Sequence, residues 1–131
     1  PQNMQQNPVY EDVTKEIIHF FSEQIFKLHQ LRVNDIIIDM GFGFGKRVAH
    51  NYEILKNLAL FKNLDAPILV GVSRKSMLYK PLEISANEAL NATTVANTIA
   101  LLNGASILRV HDVKEAVEAI KIVNQLKANE C

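Results

Sequence analysis

Three short runs dominated by β-branched and aliphatic residues recur along the chain: Asp35 to Asp39, Ile68 to Val72 and Ser106 to Val110. The first two are nearly continuous in hydrophobicity, without the alternation of a half-exposed strand, which is how strands buried on both faces read. Their starts, near residues 36, 68 and 107, leave roughly 30–40 residues per unit, the length a right-handed crossover between parallel strands needs. The intervening segments carry helical periodicity, so the chain reads as α/β: one helix, then three strand–helix units around a parallel sheet.

The helices follow from caps and spacing. Pro8, with Glu11 and Asp12 behind it, suits a helix start, and Val13, Ile17, Phe20 or Phe21, and Leu28 predict a helix over roughly 9–31. Ile54, Leu58 and Phe61 predict a second over about 50–62, stopped by Asp65-Ala-Pro67. A polar loop at Ser73 to Lys75 leads through Pro81 to Ser85 and Glu88, which have capping-box spacing for a third helix ending near Gly104. Asp112 and Glu115 repeat that spacing for a last helix to about Lys127.

Composition narrows the function classes. With 48% hydrophobic residues the chain can bury a core, and 14 basic against 14 acidic side chains leave no overall footprint of a nucleic-acid or membrane-surface binder. The longest apolar runs are far below the roughly 20 residues that span a bilayer. The one cysteine, Cys131, is the last residue and has no intrachain partner, and a cytoplasmic location fits that usage. Pro1 to Asn7 shows neither an initiator methionine nor a signal pattern, which reads as a cut chain.

In parallel α/β folds, chemistry collects at the carboxyl ends of the strands. Polar residues stand there three times: Asp39 ends the first run, Ser73-Arg-Lys75 follows the second, and Arg109 and His111 close the third. Alternation puts Arg109 and His111 on one face, together with Ile107, as an anion site. Each residue has a plainer alternative: Asp39 as a loop cap, Arg74 and Lys75 as solvated charges, His111 as a packed histidine, Asp112 as a helix cap. Convergence of three strand ends favours a shared site, because polar groups among apolar neighbours are costly unless they meet each other or a ligand.

Gly41-Phe-Gly-Phe-Gly-Lys46 fits neither phosphate-loop pattern. Three residues rather than four separate Gly41 from Gly45, Arg47 replaces the serine or threonine of a Walker loop, and Lys46 stands where a dinucleotide fingerprint needs glycine. What remains is a sharp turn with close backbone approach, beside which Phe42 or Phe44 offers a ring face. His19, His29 and His50 share no spacing with carboxylates that would build a metal site.

Three segments taken together resemble dihydropteroate synthase: Ile37-Ile-Asp-Met-Gly-Phe-Gly-Phe-Gly-Lys46, Gly71-Val-Ser-Arg-Lys-Ser76 and Arg109-Val-His-Asp-Val113. Met4-Gln5 through Pro8, Tyr10, Asp12 and Val13 is similar to the stretch before that family's fifth helix. Met40 departs from the usual proline, which makes entry to the glycine turn less rigid.

The resemblance implies an eight-stranded (β/α) barrel, of which residues 1–131 would be the C-terminal half, without strands one to five. It implies that Asp39 accepts hydrogen bonds from a dihydropterin, that Lys75 donates to its ring oxygen and nitrogen, and that Arg109 and His111 hold the pyrophosphate, Arg109 also lying against the pterin. Phe44 and Ser76 would border the 4-aminobenzoate pocket, where sulfonamides bind. No covalent nucleophile is implied. Magnesium would be held by the missing N-terminal loops, a homodimer would form through the last helices, and the chain alone would be inactive. Ile37 and Val70 would face inward without their opposite wall. The runner-up readings are a pterin-binding methyltransferase and a non-catalytic half-barrel that only associates with a partner.

Overall fold

The computed structural model describes residues 12–43 and 46–129. Along the chain come α1 (Val13–Gln30), β1 (Ile38–Asp39), α2 (Val48–Lys56), a 3-10 helix (Leu58–Leu64), β2 (Ile68–Val70), α3 (Ser76–Leu82), a 3-10 turn (Ala86–Glu88), α4 (Leu90–Leu102), β3 (Ile107–Leu108) and α5 (Val113–Ala128). The sheet order is β1-β2-β3, both pairs parallel. Ile38 is opposite Ile68 and Asp39 opposite Leu69, while Leu69 is opposite Ile107 and Val70 opposite Leu108.

Alternation along these strands divides the sheet into two faces. Ile38, Ile68, Val70 and Leu108 turn to the helices and join Ile54, Leu58, Phe61, Met77 and Ala100 in the main core. Ile37, 56% exposed, and Ile107, 37% exposed, stand on the other face with Leu69. Val70 therefore does not face the open side as expected; it is fully buried under the helices, and Leu69 takes the inward position.

Helix α1 begins at Asp12, whose carboxylate accepts the Lys15 backbone N–H at 3.0 Å. The expected stretch before it, with Pro8 and Glu11, lies outside the described residues. Phe21 supplies the stripe residue, meeting Phe61 edge-on at 6.4 Å, whereas Phe20 is exposed. The second helix leaves α geometry after Lys56, and the reason is written in Leu55, Leu58, Phe61 and Leu64. Their spacing of three matches the 3.0-residue turn of a 3-10 helix, which keeps Leu58 and Phe61 in the core. Asp65 then closes it in the left-handed region at φ 56°.

Ser85 and Glu88 form their capping box, the Glu88 carboxylate accepting the Ser85 N–H at 3.0 Å. It opens a single 3-10 turn, and the α-helix proper starts at Leu90. Among the described residues no helix is long and apolar enough to cross a membrane.

Helix α3 is not among the expected elements, and Pro81 lies inside it. Proline cannot donate to the carbonyl four residues back, here that of buried Met77. The Tyr52 hydroxyl of α2 donates to that carbonyl instead, at 2.6 Å. The orphaned acceptor is thus satisfied by a neighbouring helix, and burial pushes the Tyr52 hydroxyl pKa up. Tyr52→Phe should leave the Met77 carbonyl without a partner and lower the unfolding free energy by about 1–3 kcal/mol. Urea titration measures this; an unchanged midpoint would show that α3 does not depend on the contact.

Candidate functional site at the carboxyl edge of the sheet

The parallel register delivers all three strand ends to one edge. There the Arg109 guanidinium crosses the middle strand and donates from Nη1 to Asp39 Oδ2 at 2.8 Å. It crosses at Gly71. A Cβ built on that glycine would stand 2.5 Å from Arg109 Nη2 and 2.8 Å from Cζ, so a side chain there would occupy the guanidinium's path.

Asp39 also accepts the Gly41 N–H at Oδ1, 2.9 Å away. It caps the glycine turn with one oxygen and pairs with Arg109 through the other, so capping the loop does not withdraw it from the strand-end cluster. Gly41 and Gly43 have φ of 64° and 88°, the left-handed region that glycine enters without steric cost. Asn51 holds the turn: its side-chain carbonyl accepts the Gly43 N–H at 3.0 Å, and its amide donates to the Arg47 carbonyl at 3.1 Å. Two ammonium groups close on the turn's carbonyls, Lys46 on Gly41 at 2.8 Å and Lys75 on Phe42 at 2.7 Å. The Phe42 ring, only 1% exposed, belongs to the core and offers no face to a ligand. Phe44 lies outside the described residues.

Charges accumulate around one carboxylate. Partial burial pushes Asp39 up, but the Arg109 hydrogen bond, the Gly41 N–H and the charges of Arg109 and Lys75 together hold it below the usual value. Lys75 is lowered by burial and by Arg109 and Lys46, against the pull of Asp39. Lys46 is lowered by burial, again against Asp39. Asp39, Lys75 and Arg109 are therefore one electrostatic cluster.

His111 joins from the end of β3. Its Nδ1 lies 2.7 Å from Ser73 Oγ, which also accepts the His111 backbone N–H at 3.3 Å. Gly71, Ser73, Lys75, Arg109, Val110 and His111 line a small cavity of about 110 Å³. Ser76, half-buried, opens α3 directly after Lys75 and is not among the residues that line this cavity. A larger cavity of about 410 Å³ lies near Ile25, Asn34 and Pro67, at the amino end of the strands, and none of these strand-end residues lines it.

Arg74 turns away from this group. Its Nε and Nη2 donate to the two Asp112 oxygens at 2.9 and 3.0 Å, and Nη1 donates to the Ala86 and Asn87 carbonyls. Its backbone is left-handed at φ 54°, and its N–H is taken by Thr93 Oγ1 at 3.0 Å. Asp112 sits at the N-cap of α5 but makes no capping bond; its carboxylate is committed to the arginine, which corrects the expected capping box. The clamp fixes the loops on which Ser73, Lys75 and His111 stand.

Sequence reasoning missed Asn51 and the Ser73–His111 contact. Asn51 had a signal, since it lies three residues before Ile54 on the apolar stripe of α2, where a polar side chain needs a partner. Ser73 and His111 both stand at expected strand ends, but their direct contact had no local signal, because the two are 38 positions apart.

Residues 1–111 match the model of the family described as pterin binding enzyme. The chain belongs to the pterin-binding enzyme family. It is 44% identical over 125 residues to the dihydropteroate synthase of Escherichia coli strain K12, covering 94% of this chain and 44% of that protein. The Yersinia pestis dihydropteroate synthase in complex with a sulfonamide drug superimposes with TM-score 0.87 at 39% identity, over 96% of this chain and 46% of that one. The Xanthomonas albilineans enzyme in complex with 7,8-dihydropteroate superimposes with TM-score 0.88 at 32% identity, over 94% and 49%. This pterin-binding family member thus spans less than half the length of these relatives, and its three parallel βα units are those of part of a (β/α) barrel.

Two outcomes test the cluster. Asp39 should titrate below the ordinary carboxylate value of 3.8, and Arg109→Ala should move it upward, as carboxyl carbon NMR would read. Because the folded value is depressed, Asp39's contribution to stability is present above the unfolded pKa of about 4 and is lost as pH falls through the lower folded one. Gly71→Ala should produce the same upward movement by displacing the guanidinium; an unmoved Asp39 in both variants would show that Arg109 does not hold it.

Proposed function

We propose that this chain supplies the pterin and pyrophosphate side of a dihydropteroate synthase active site. The observation that carries the reading is the convergence of Asp39, Lys75 and Arg109 at one sheet edge, beside a glycine turn and the Ser73–His111 pair.

Each Asp39 oxygen takes one protein donor, and a carboxylate oxygen can accept a second. Those remaining acceptors suit the adjacent ring N–H and amino donors of a dihydropterin. Lys75 would donate to the ring oxygen and nitrogen. Arg109 and His111 would take the pyrophosphate, and the planar guanidinium would lie along the pterin ring. Ser76 and Phe44 would border the site of 4-aminobenzoate, which sulfonamides would share. In the reaction, the arylamine nitrogen forms a bond to the pterin methylene, the methylene–oxygen bond breaks, pyrophosphate leaves with the electron pair, and the amine loses a proton. Arg109 and His111 stabilise the departing charge, and positioning supplies the rest.

Magnesium does not fit the described residues of this site. Its single carboxylate is ion-paired and surrounded by Lys46, Lys75 and Arg109, and no group of three or more potential ligands occurs among the described residues. A magnesium ion serving the reaction would be held by residues outside this cluster. The exposed Ile37 and Ile107 on the inward face support a reading in which further strands cover that face. Homodimerisation through α4 and α5, with a cytoplasmic location, completes the proposal; Val95, Ile99, Ile122 and Leu126 are apolar and exposed on those helices.

Calorimetric titration with dihydropterin pyrophosphate tests the binding roles. Asp39→Asn and Lys75→Ala should each weaken binding about tenfold or more, the scale of hydrogen bonds to charged groups. A folded wild-type chain that binds no pterin would overturn the assignment. Dihydropteroate should form from the two substrates only when a chain carrying the other barrel strands is added; turnover by the 131-residue chain alone would contradict the need for a closed barrel.

A further inference from the structure

We infer that Ser73 is a positioning residue that fixes the tautomer of His111, so that the neutral imidazole presents Nε2–H to the anion site. The inference about the tautomer stands on hydrogen-bond geometry, and its use in binding rests on the function proposed above.

Ser73 is 5% exposed, and its Oγ has two contacts among the described residues, both to His111. One is the backbone N–H, which can only donate, so Oγ accepts there. The other is Nδ1, and a neutral ring allows two arrangements. If Nδ1 carried the proton, Oγ would accept twice and its own proton would have no acceptor among the described residues, at the cost of an unsatisfied polar group. If Oγ donates to Nδ1, the serine is satisfied and the ring proton lies on Nε2. The second arrangement leaves nothing unpaired.

The consequence is specific to an anion site. Nδ1 is occupied by Ser73, so only Nε2 remains to meet a ligand, on a ring that lines one cavity with Arg109. With the proton on Nε2, the neutral histidine still offers a donor to phosphate oxygens. With it on Nδ1, the ring would turn a lone pair toward them and repel. On protonation of the ring, Nδ1–H donates to Oγ by rotation of the hydroxyl, and Nε2–H keeps its role. Arg74 supports the arrangement from the far side, because its bonds to Asp112 tie the loop after Ser73 to the residue after His111.

Nitrogen-15 NMR of the histidine side chain, at a pH about two units above the ordinary histidine pKa of about 6.5, reads the tautomer directly. Wild-type His111 should show a single species protonated at Nε2. Ser73→Ala should give a mixture of both tautomers, and Ser73→Thr, which keeps the hydroxyl, should restore the single species. Under the same conditions Ser73→Ala should weaken inorganic pyrophosphate binding about two- to tenfold, the scale of one hydrogen bond, with no such loss in a His111→Ala background. Protonation at Nδ1 in the wild type, or one unchanged tautomer in Ser73→Ala, would overturn the inference. Wild-type protein with the Nε2–H tautomer that binds no pyrophosphate would leave Ser73's role intact and count against the function proposed for the site.

Discussion

Three strands of two or three residues set the geometry of everything else, through a parallel register that carries few hydrogen bonds of its own. What holds the register is burial on one side. Ile38, Ile68, Val70 and Leu108 are seated among the helices, and slipping any strand by one residue would turn that set outward. The same register fixes the opposite face, where Asp39 and Arg109 come from the two outer strands. Neighbouring strands lie about 4.8 Å apart, so Arg109 has to span two such intervals over the middle strand. Glycine at position 71 leaves that path open, whereas a Cβ there would make the guanidinium shift.

The electrostatics follow from the same layout. Lys46, Lys75 and Arg109 gather around Asp39, an arrangement that would repel itself without the carboxylate and the turn carbonyls that accept from the two lysines. Backbone dipoles and one aspartate thus stabilise a positive edge, which is the property the proposed substrate, anionic at one end, would require. The loops bearing these groups are held from outside the cluster, by Asn51 under the glycine turn and by Arg74 between Asp112 and the Ala86 and Asn87 carbonyls. The groups facing the site and the groups holding it in place are different residues.

Much of this was legible in the sequence because it depends on local patterns. The strand-helix alternation, the position of Asp39 and of Arg109, and the capping box at Ser85 are all read within a few residues, whereas Asp12, expected inside the first turn, is the N-cap of α1. Failures arose where a distant partner decides the outcome. Pro81 is tolerated in α3 because Tyr52 replaces the lost donor, and Asp112 leaves its helix uncapped because Arg74 claims it. Val70 was placed on the wrong face because a nearly continuous apolar run carries no alternation to orient it. Phe42 was offered as a ligand face, yet it is in the core, since a glycine turn gives no indication of which way its aromatic points.

The central claim is that the carboxyl edge of this sheet is a pterin pyrophosphate site built on the Asp39–Arg109 bridge. A crystal structure of the protein with bound dihydropterin pyrophosphate tests it most directly. The account predicts the pterin ring N–H and amino group on Asp39, the ring oxygen on Lys75, and the pyrophosphate between Arg109 and Nε2 of His111. A pterin seated elsewhere, such as the cavity near Ile25 and Pro67 at the amino end of the strands, or a pyrophosphate that touches neither Arg109 nor His111, would contradict it.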